Sequence, residues 1–101
     1  MAKQSKLERS FQRELIQDLK TRFKGCIVTK LVPISIQGIP DLLILYGNRW
    51  ATLECKKSKR AKRQPNQKYY VDLMNKMSFS RFIYPENKEE VLNELSKSFK
   101  S

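Results

Sequence analysis

The chain predicts an α/β fold, a mixed central sheet flanked by helices in the order α-β-β-β-α-β-α. Three observations carry that reading. Leu7, Phe11, Leu15, Leu19 and Phe23 recur every four residues, the period of a helix face. Two runs, Leu42–Tyr46 and Arg49–Leu53, flank the pair Gly47-Asn48, a two-residue turn that closes an antiparallel hairpin. A second helical segment then separates this hairpin from a further short strand. That connection is a crossover, so part of the sheet is parallel.

Taken in order, the first helix is expected over residues 6–24, with Ile16 beside its apolar stripe. Gly25 stops it, as glycine does just past a helix C-terminus. Cys26–Val32 is rich in β-branched residues and reads as a strand, and Pro33 ends its pairing. Residues 34–40, with Gly38 and Pro40, are a connection, and the hairpin occupies about 41–56. Pro65 suits the first turn of the second helix, whose apolar face is Tyr70, Leu73, Met74 and Met77. Ser80–Tyr84 is a short strand broken by Pro85. Asn87, with Glu90 three residues later, resembles a helix N-terminal cap. Val91, Leu92, Leu95 and Phe99 face inward from the last helix. Glu86, Glu89, Glu90 and Glu94 read as a solvated face.

At 101 residues the chain is a single domain with one modest core. No apolar run approaches the length of a membrane span, and Met1–Lys6 lacks the apolar stretch of a signal peptide. A soluble, intracellular, cytoplasmic protein is expected. Cys26 and Cys55 form no CxxC pair and sit in apolar contexts, so both read as buried thiols. Lys and Arg number 21 against 10 Asp and Glu, a net charge of +11. Such an excess favours a polyanionic partner, with nucleic acid ahead of an anionic membrane. The sequence has 0 histidines, which removes His-based general-base chemistry and zinc fingers.

The hairpin brings two carboxylates together. With Gly47-Asn48 as the loop, Tyr46 pairs with Arg49, and counting outward sets Asp41 across from Glu54. Opposed residues have Cβ atoms about 4.5–5.5 Å apart, and carboxylates that close repel unless a proton or cation lies between them. Glu54 and Lys56 project from one face and Cys55 from the other. The expected product is an Asp/Glu/Lys cluster suited to Mg²⁺. Residues 56–63 follow, with six basic residues in eight. Beside the cluster, Lys57, Lys59, Arg60, Lys62 and Arg63 are expected to contact nucleic-acid phosphates. Trp50, Tyr69 and Tyr70 could stack on bases, but their spacing favours the core.

Pro40-Asp41 and Glu54-Cys55-Lys56, in this element order, resemble the PD-(D/E)xK nuclease superfamily. Gly38-Ile39-Pro40-Asp41-Leu42, Glu54-Cys55-Lys56 and Gln64-Pro65-Asn66-Gln67 look like the short, stand-alone VRR-NUC-type nucleases of phages, across essentially the whole chain. The resemblance implies a restriction-endonuclease-like core and Mg²⁺- or Mn²⁺-dependent phosphodiester hydrolysis, with a preference for branched DNA such as Holliday junctions. It implies Asp41 and Glu54 as metal ligands, the Cys55 backbone carbonyl as a third, Lys56 as the catalytic lysine, and Gln67 as a partner of the scissile phosphate or of metal-bound water. Cys55 stands where related sequences often have Val.

An acid on the first helix often completes such a site, and Glu8 and Glu14 compete for that role. At about 100° per residue, Glu8 points to the middle of the apolar stripe and Glu14 roughly 110° away. A carboxylate on a core-facing stripe is costly unless paired or metal-bound, which favours Glu8 as a catalytic and metal-binding residue. Two incisions by one site per chain call for a homodimer. The competing readings are a non-catalytic nucleic-acid-binding module with structural acids, and a nuclease subunit of a larger complex acting on DNA or RNA.

Overall fold

The computed structural model describes residues 5–101; the reading of Met1–Lys6 as lacking the apolar stretch of a signal peptide lies mostly outside them. The elements are α1 (Lys6–Arg22), β1 (Ile27–Lys30), β2 (Leu42–Tyr46), β3 (Arg49–Cys55), α2 (Pro65–Met77), β4 (Ser80–Ile83) and α3 (Lys88–Lys100). This is the expected order. The strands form one sheet in the order β1-β2-β3-β4. β1 and β2, and β2 and β3, are antiparallel, and β3 and β4 are parallel, as the α2 crossover requires.

Leu42 and Ile44 of β2 and Ala51, Leu53 and Cys55 of β3 share one sheet face. They form a core with Phe11, Leu15, Leu19 and Phe23 from α1 and its end, and Val91, Leu92, Leu95 and Phe99 from α3. The opposite face of β3 carries Thr52, Glu54 and Lys56. There the Thr52 hydroxyl donates to the Met74 sulfur of α2 and shares a hydrogen bond with the Ser80 hydroxyl of β4. α2 thus covers the face away from the main core.

Four expectations need correction. Leu7 does not belong to the buried stripe: it is 71% exposed, and Gln12 takes its place beside Phe11, Leu15 and Leu19. The inward face of α1 therefore runs along Glu8, Gln12, Leu15 and Leu19, and at the first turn no described residue packs over Leu7. On α2 the buried residue is Val71, while Leu73, Met77 and Tyr69 are exposed. Among the described elements α2 packs chiefly on β3 and β4, so one narrow stripe suffices. Asn87 is the N-cap of α3, yet its side chain makes no capping bond. It accepts from Tyr84 N–H and donates to Phe82 O instead, bracing the turn after β4. Finally, Cys55 is buried but Cys26 is only half-buried, its thiol directed at Leu19 O, 3.7 Å away.

β1 is shorter than expected and mostly exposed, as befits an edge strand. Pairing fades after Leu31, whose N–H still reaches Asp41 O at 2.7 Å, and Pro33 supplies no donor. No helix among the described residues is long and apolar enough to cross a membrane.

Candidate active site

The hairpin register is the one the turn dictates. Tyr46 pairs with Arg49 and Leu42 with Leu53, so Asp41 and Glu54 stand opposite one step further out. Asp41 Oδ2 accepts from Cys55 N–H at 2.9 Å. The next ladder position opposite Cys55 is Pro40, by the same register. Proline has no N–H to give. In an extended strand a residue's N–H and C=O leave on the same side, so Cys55 carbonyl faces the Asp41 edge without a ladder donor from Pro40. This is a physical reason for proline immediately before the aspartate.

Glu54 is 3% exposed and Lys56 is 7% exposed. Gln67, on the first turn of α2, joins them. Its Nε2 donates to Glu54 Oε2 at 3.0 Å, and its Oε1 accepts from Lys56 Nζ at 2.7 Å. The same Oε1 accepts from Gln64 N–H at 3.0 Å, which ties the side chain to the helix start. Lys56 Nζ lies 3.9 Å from Glu54 Oε2. Sequence reading expects Gln67 to face phosphate or water; the structure sets it as a bridge between the acid and the lysine.

One buried side-chain oxygen among the described residues lacks a well-placed hydrogen-bond donor. Glu54 Oε1 is buried and unbonded, alone in this respect among the described residues. Burial, and then the Asp41 charge, push the Glu54 carboxyl up to about 8, against the opposing pull of Lys56. Glu8 adds a further upward push. Asp41 is also raised, mainly by burial, with the Cys55 N–H and Lys56 opposing. A buried, repelling carboxylate pair with an orphan oxygen is a site that a cation would complete.

Asp41, Glu54 and Lys56 open onto a cleft of about 790 Å³ that also takes in Glu8, Gln12, Lys30, Lys62 and the 64–67 turn. Glu14 is exposed on the helix surface. No three His, Cys, Asp or Glu side chains among the described residues lie close enough to share an ion. Glu8 thus shares the cleft without joining Asp41 and Glu54 in one ligand group. Mg²⁺ or Mn²⁺ fits the chemistry of the hard oxygens present. Asp41, Glu54 and the Cys55 carbonyl would hold it, with Glu8 across the cleft.

Beyond Lys56, the basic run reaches the cleft through Lys62. Lys57, Lys59 and Arg60 are exposed beside it. Lys59 N–H donates to Glu86, and the Arg63 guanidinium lies 4.2 Å from the Phe82 ring centroid. Two residues escaped sequence reading. Lys30 enters the cleft from the end of β1, and no local pattern marks it. Gln12, buried on α1, opposes the upward push of burial on the Cys55 thiol; its signal was a polar residue one turn after Glu8 on the inward stripe. Trp50 and Tyr70 are half-buried and Tyr69 is 60% exposed, so Tyr69 departs from the expected core role.

The two helix acids give a direct test. Glu8→Gln removes the cleft carboxylate while keeping size and hydrogen bonding. On the nuclease chemistry that the resemblance implies, it is expected to slow DNA cleavage at least about tenfold, or roughly 1.4 kcal/mol of activation free energy. Glu14→Gln should cleave at the wild-type rate. Single-turnover assays decide it, and the reverse outcome would assign the role to Glu14. No protein-family model matches the chain, and no curated protein matches it.

Proposed function

We propose that the chain is a Mg²⁺- or Mn²⁺-dependent endodeoxyribonuclease of the PD-(D/E)xK type with a restriction-endonuclease-like core. It hydrolyses phosphodiester bonds in DNA selected by shape, branched DNA above all. The observation that carries this reading is the orphan Glu54 Oε1, buried next to Asp41 and tied through Gln67 to Lys56. A purely structural carboxylate at such depth would find a donor for both oxygens.

Asp41, Glu54 and the Cys55 carbonyl would hold the cation, which when bound would supply Lewis-acid chemistry and ease deprotonation of water at neutral pH. Lys56, positioned by Gln67, presents its ammonium to the phosphate and offsets negative charge that builds there. The Gln67 bridge keeps Lys56 from collapsing onto Glu54, from which it stands 3.9 Å away. Exposed Lys57, Lys59 and Arg60, with Lys62 at the cleft, draw in the DNA backbone. Cutting both strands calls for two copies, so the working form is a homodimer.

A cleavage panel tests this: linear duplex, single strand, flap and four-way junction, each with Mg²⁺, Mn²⁺ or EDTA. Junction cleavage that EDTA abolishes supports the proposal. Tight DNA binding with no cleavage under any condition would leave the binding-module reading in its place. Replacing Lys59, Arg60, Lys62 and Arg63 by Ala should weaken binding and flatten the log K against log[salt] slope by roughly 0.9 per lost phosphate contact. Arg63 is held over Phe82, so the single change Arg63→Ala should alter the slope least. Fluorescence anisotropy across a salt series measures both.

A further inference from the structure

The segment before Asp41 and the opening turn of α2 approach closely at Gly38 and Asn66. Gly38, three residues before Asp41, has φ +87°, and a Cβ there would lie 2.5 Å from Asn66 Cβ, 2.6 Å from its carbonyl carbon and 2.9 Å from its carbonyl oxygen. Two of those three atoms are backbone, so no rotamer change relieves the overlap. Asn66 immediately precedes Gln67, the bridge to Glu54 and Lys56.

We propose that Gly38 and Asn66 are positioning residues, whose close backbone approach fixes where Gln67 meets Glu54 and Lys56. Gly38 leads through Pro40 to Asp41, which is anchored on Cys55 N–H. Asn66 sits on the opening turn of α2, anchored by the bond from Gln64 N–H to Gln67 Oε1. The contact sets the spacing between the Asp41 segment and the Gln67 turn, which local structure in neither can set. A side chain at position 38 would have to push the helix start away. A misplacement of about 1 Å can cost on the order of 10²-fold in a positioned reaction. The catalytic consequence rests on the nuclease reading; the placement of Gln67 does not.

Gly25 supplies the control. It has φ +89°, yet a Cβ there meets nothing within 4 Å. Gly25→Ala therefore carries the same backbone penalty without the collision. Gly38→Ala, Gly25→Ala and Asn66→Gly are compared by the Gln67 side-chain amide resonances in ¹⁵N-edited NMR, and by cleavage rate and DNA affinity. Gly38→Ala is expected to move the Gln67 amide signals and to slow cleavage at least about tenfold, with affinity changed less than about twofold. Gly25→Ala should lower the melting temperature but leave the Gln67 signals and the rate in place. Asn66→Gly loosens the contact without adding an atom, and should fold, shift the same signals and slow cleavage several-fold. Unmoved Gln67 signals in folded Gly38→Ala overturn the proposal, as does an equal shift in Gly25→Ala. Should Gly38→Ala not fold, unmoved Gln67 signals in Asn66→Gly overturn it equally. A wild-type protein that cuts nothing would refute the nuclease reading, while the NMR comparison would still decide the positioning role.

Discussion

Freed of divalent cations, the protein should lose stability as the pH rises from about 5 to about 8, and recover it when Mg²⁺ is added. The Glu54 carboxyl is pushed up to about 8 by burial and by Asp41, whereas an unfolded glutamate titrates near 4.3. Below the unfolded value both states hold the proton, and the folded state has its full stability. Between the two values only the folded state holds it, so each step up in pH favours unfolding. Above about 8 both states are ionised and the curve flattens. Asp41, also raised, acts in the same direction. The loss is on the order of 3–5 kcal/mol, because each tenfold difference in proton affinity between the two states is worth about 1.4 kcal/mol. The window is clean because the sequence has 0 histidines. Urea unfolding in EDTA from pH 5 to pH 9 measures the slope. Mg²⁺ at about 100 times its dissociation constant should restore roughly 2.7 kcal/mol at pH 8. A flat profile with no response to Mg²⁺ would remove the basis for the cation site.

Glu54→Gln and Asp41→Asn should each abolish cleavage, by at least about 10³-fold or roughly 4 kcal/mol of activation free energy. Their effects on stability should differ. Glu54→Gln removes the buried charge and its orphan oxygen, so it stabilises the cation-free protein at pH 8 and flattens the pH profile. Asp41→Asn keeps a carbonyl to accept from Cys55 N–H and lifts the repulsion on Glu54, so it stabilises in the same direction but by less. Asp41→Ala leaves that N–H unpaired and costs about 1–3 kcal/mol. DNA binding should be kept or tightened, since an anion beside the phosphates is gone. A gain in stability joined to a loss of cleavage separates a functional carboxylate from a structural one. Cleavage near the wild-type rate by either isosteric variant would refute the assignment.

The pairing of Asp41 with Glu54 was legible because Gly47 and Asn48 leave two loop residues. That length fixes the register, and a strand's period of two then sets which side chains meet. Gly47, with φ +61°, shows why the turn needs glycine there. Glu8 was separable from Glu14 because helix geometry alone gives their angular positions. The element order followed from periodicity and from the prolines that interrupt it.

Other features depend on contacts between segments far apart in the chain. Leu7 has the right period for the core but lies where no described residue covers it, so the inward stripe starts at Glu8 and includes Gln12. The Asn87 side chain has the composition of a cap, yet bonds to Phe82 and Tyr84 because the turn after β4 offers partners at that point. Lys30 reaches the cleft only because β1 ends beside Asp41. By itself the sequence determined the hairpin, its register and the opposed acids, since these follow from local turn chemistry and a fixed repeat. Only the tertiary structure decided how deeply Glu54 is buried, that Gln67 joins it to Lys56, and that Gly38 meets Asn66. Those facts arise when α2 crosses back over the sheet, and a crossover's final approach is set by packing rather than by any pattern along the chain.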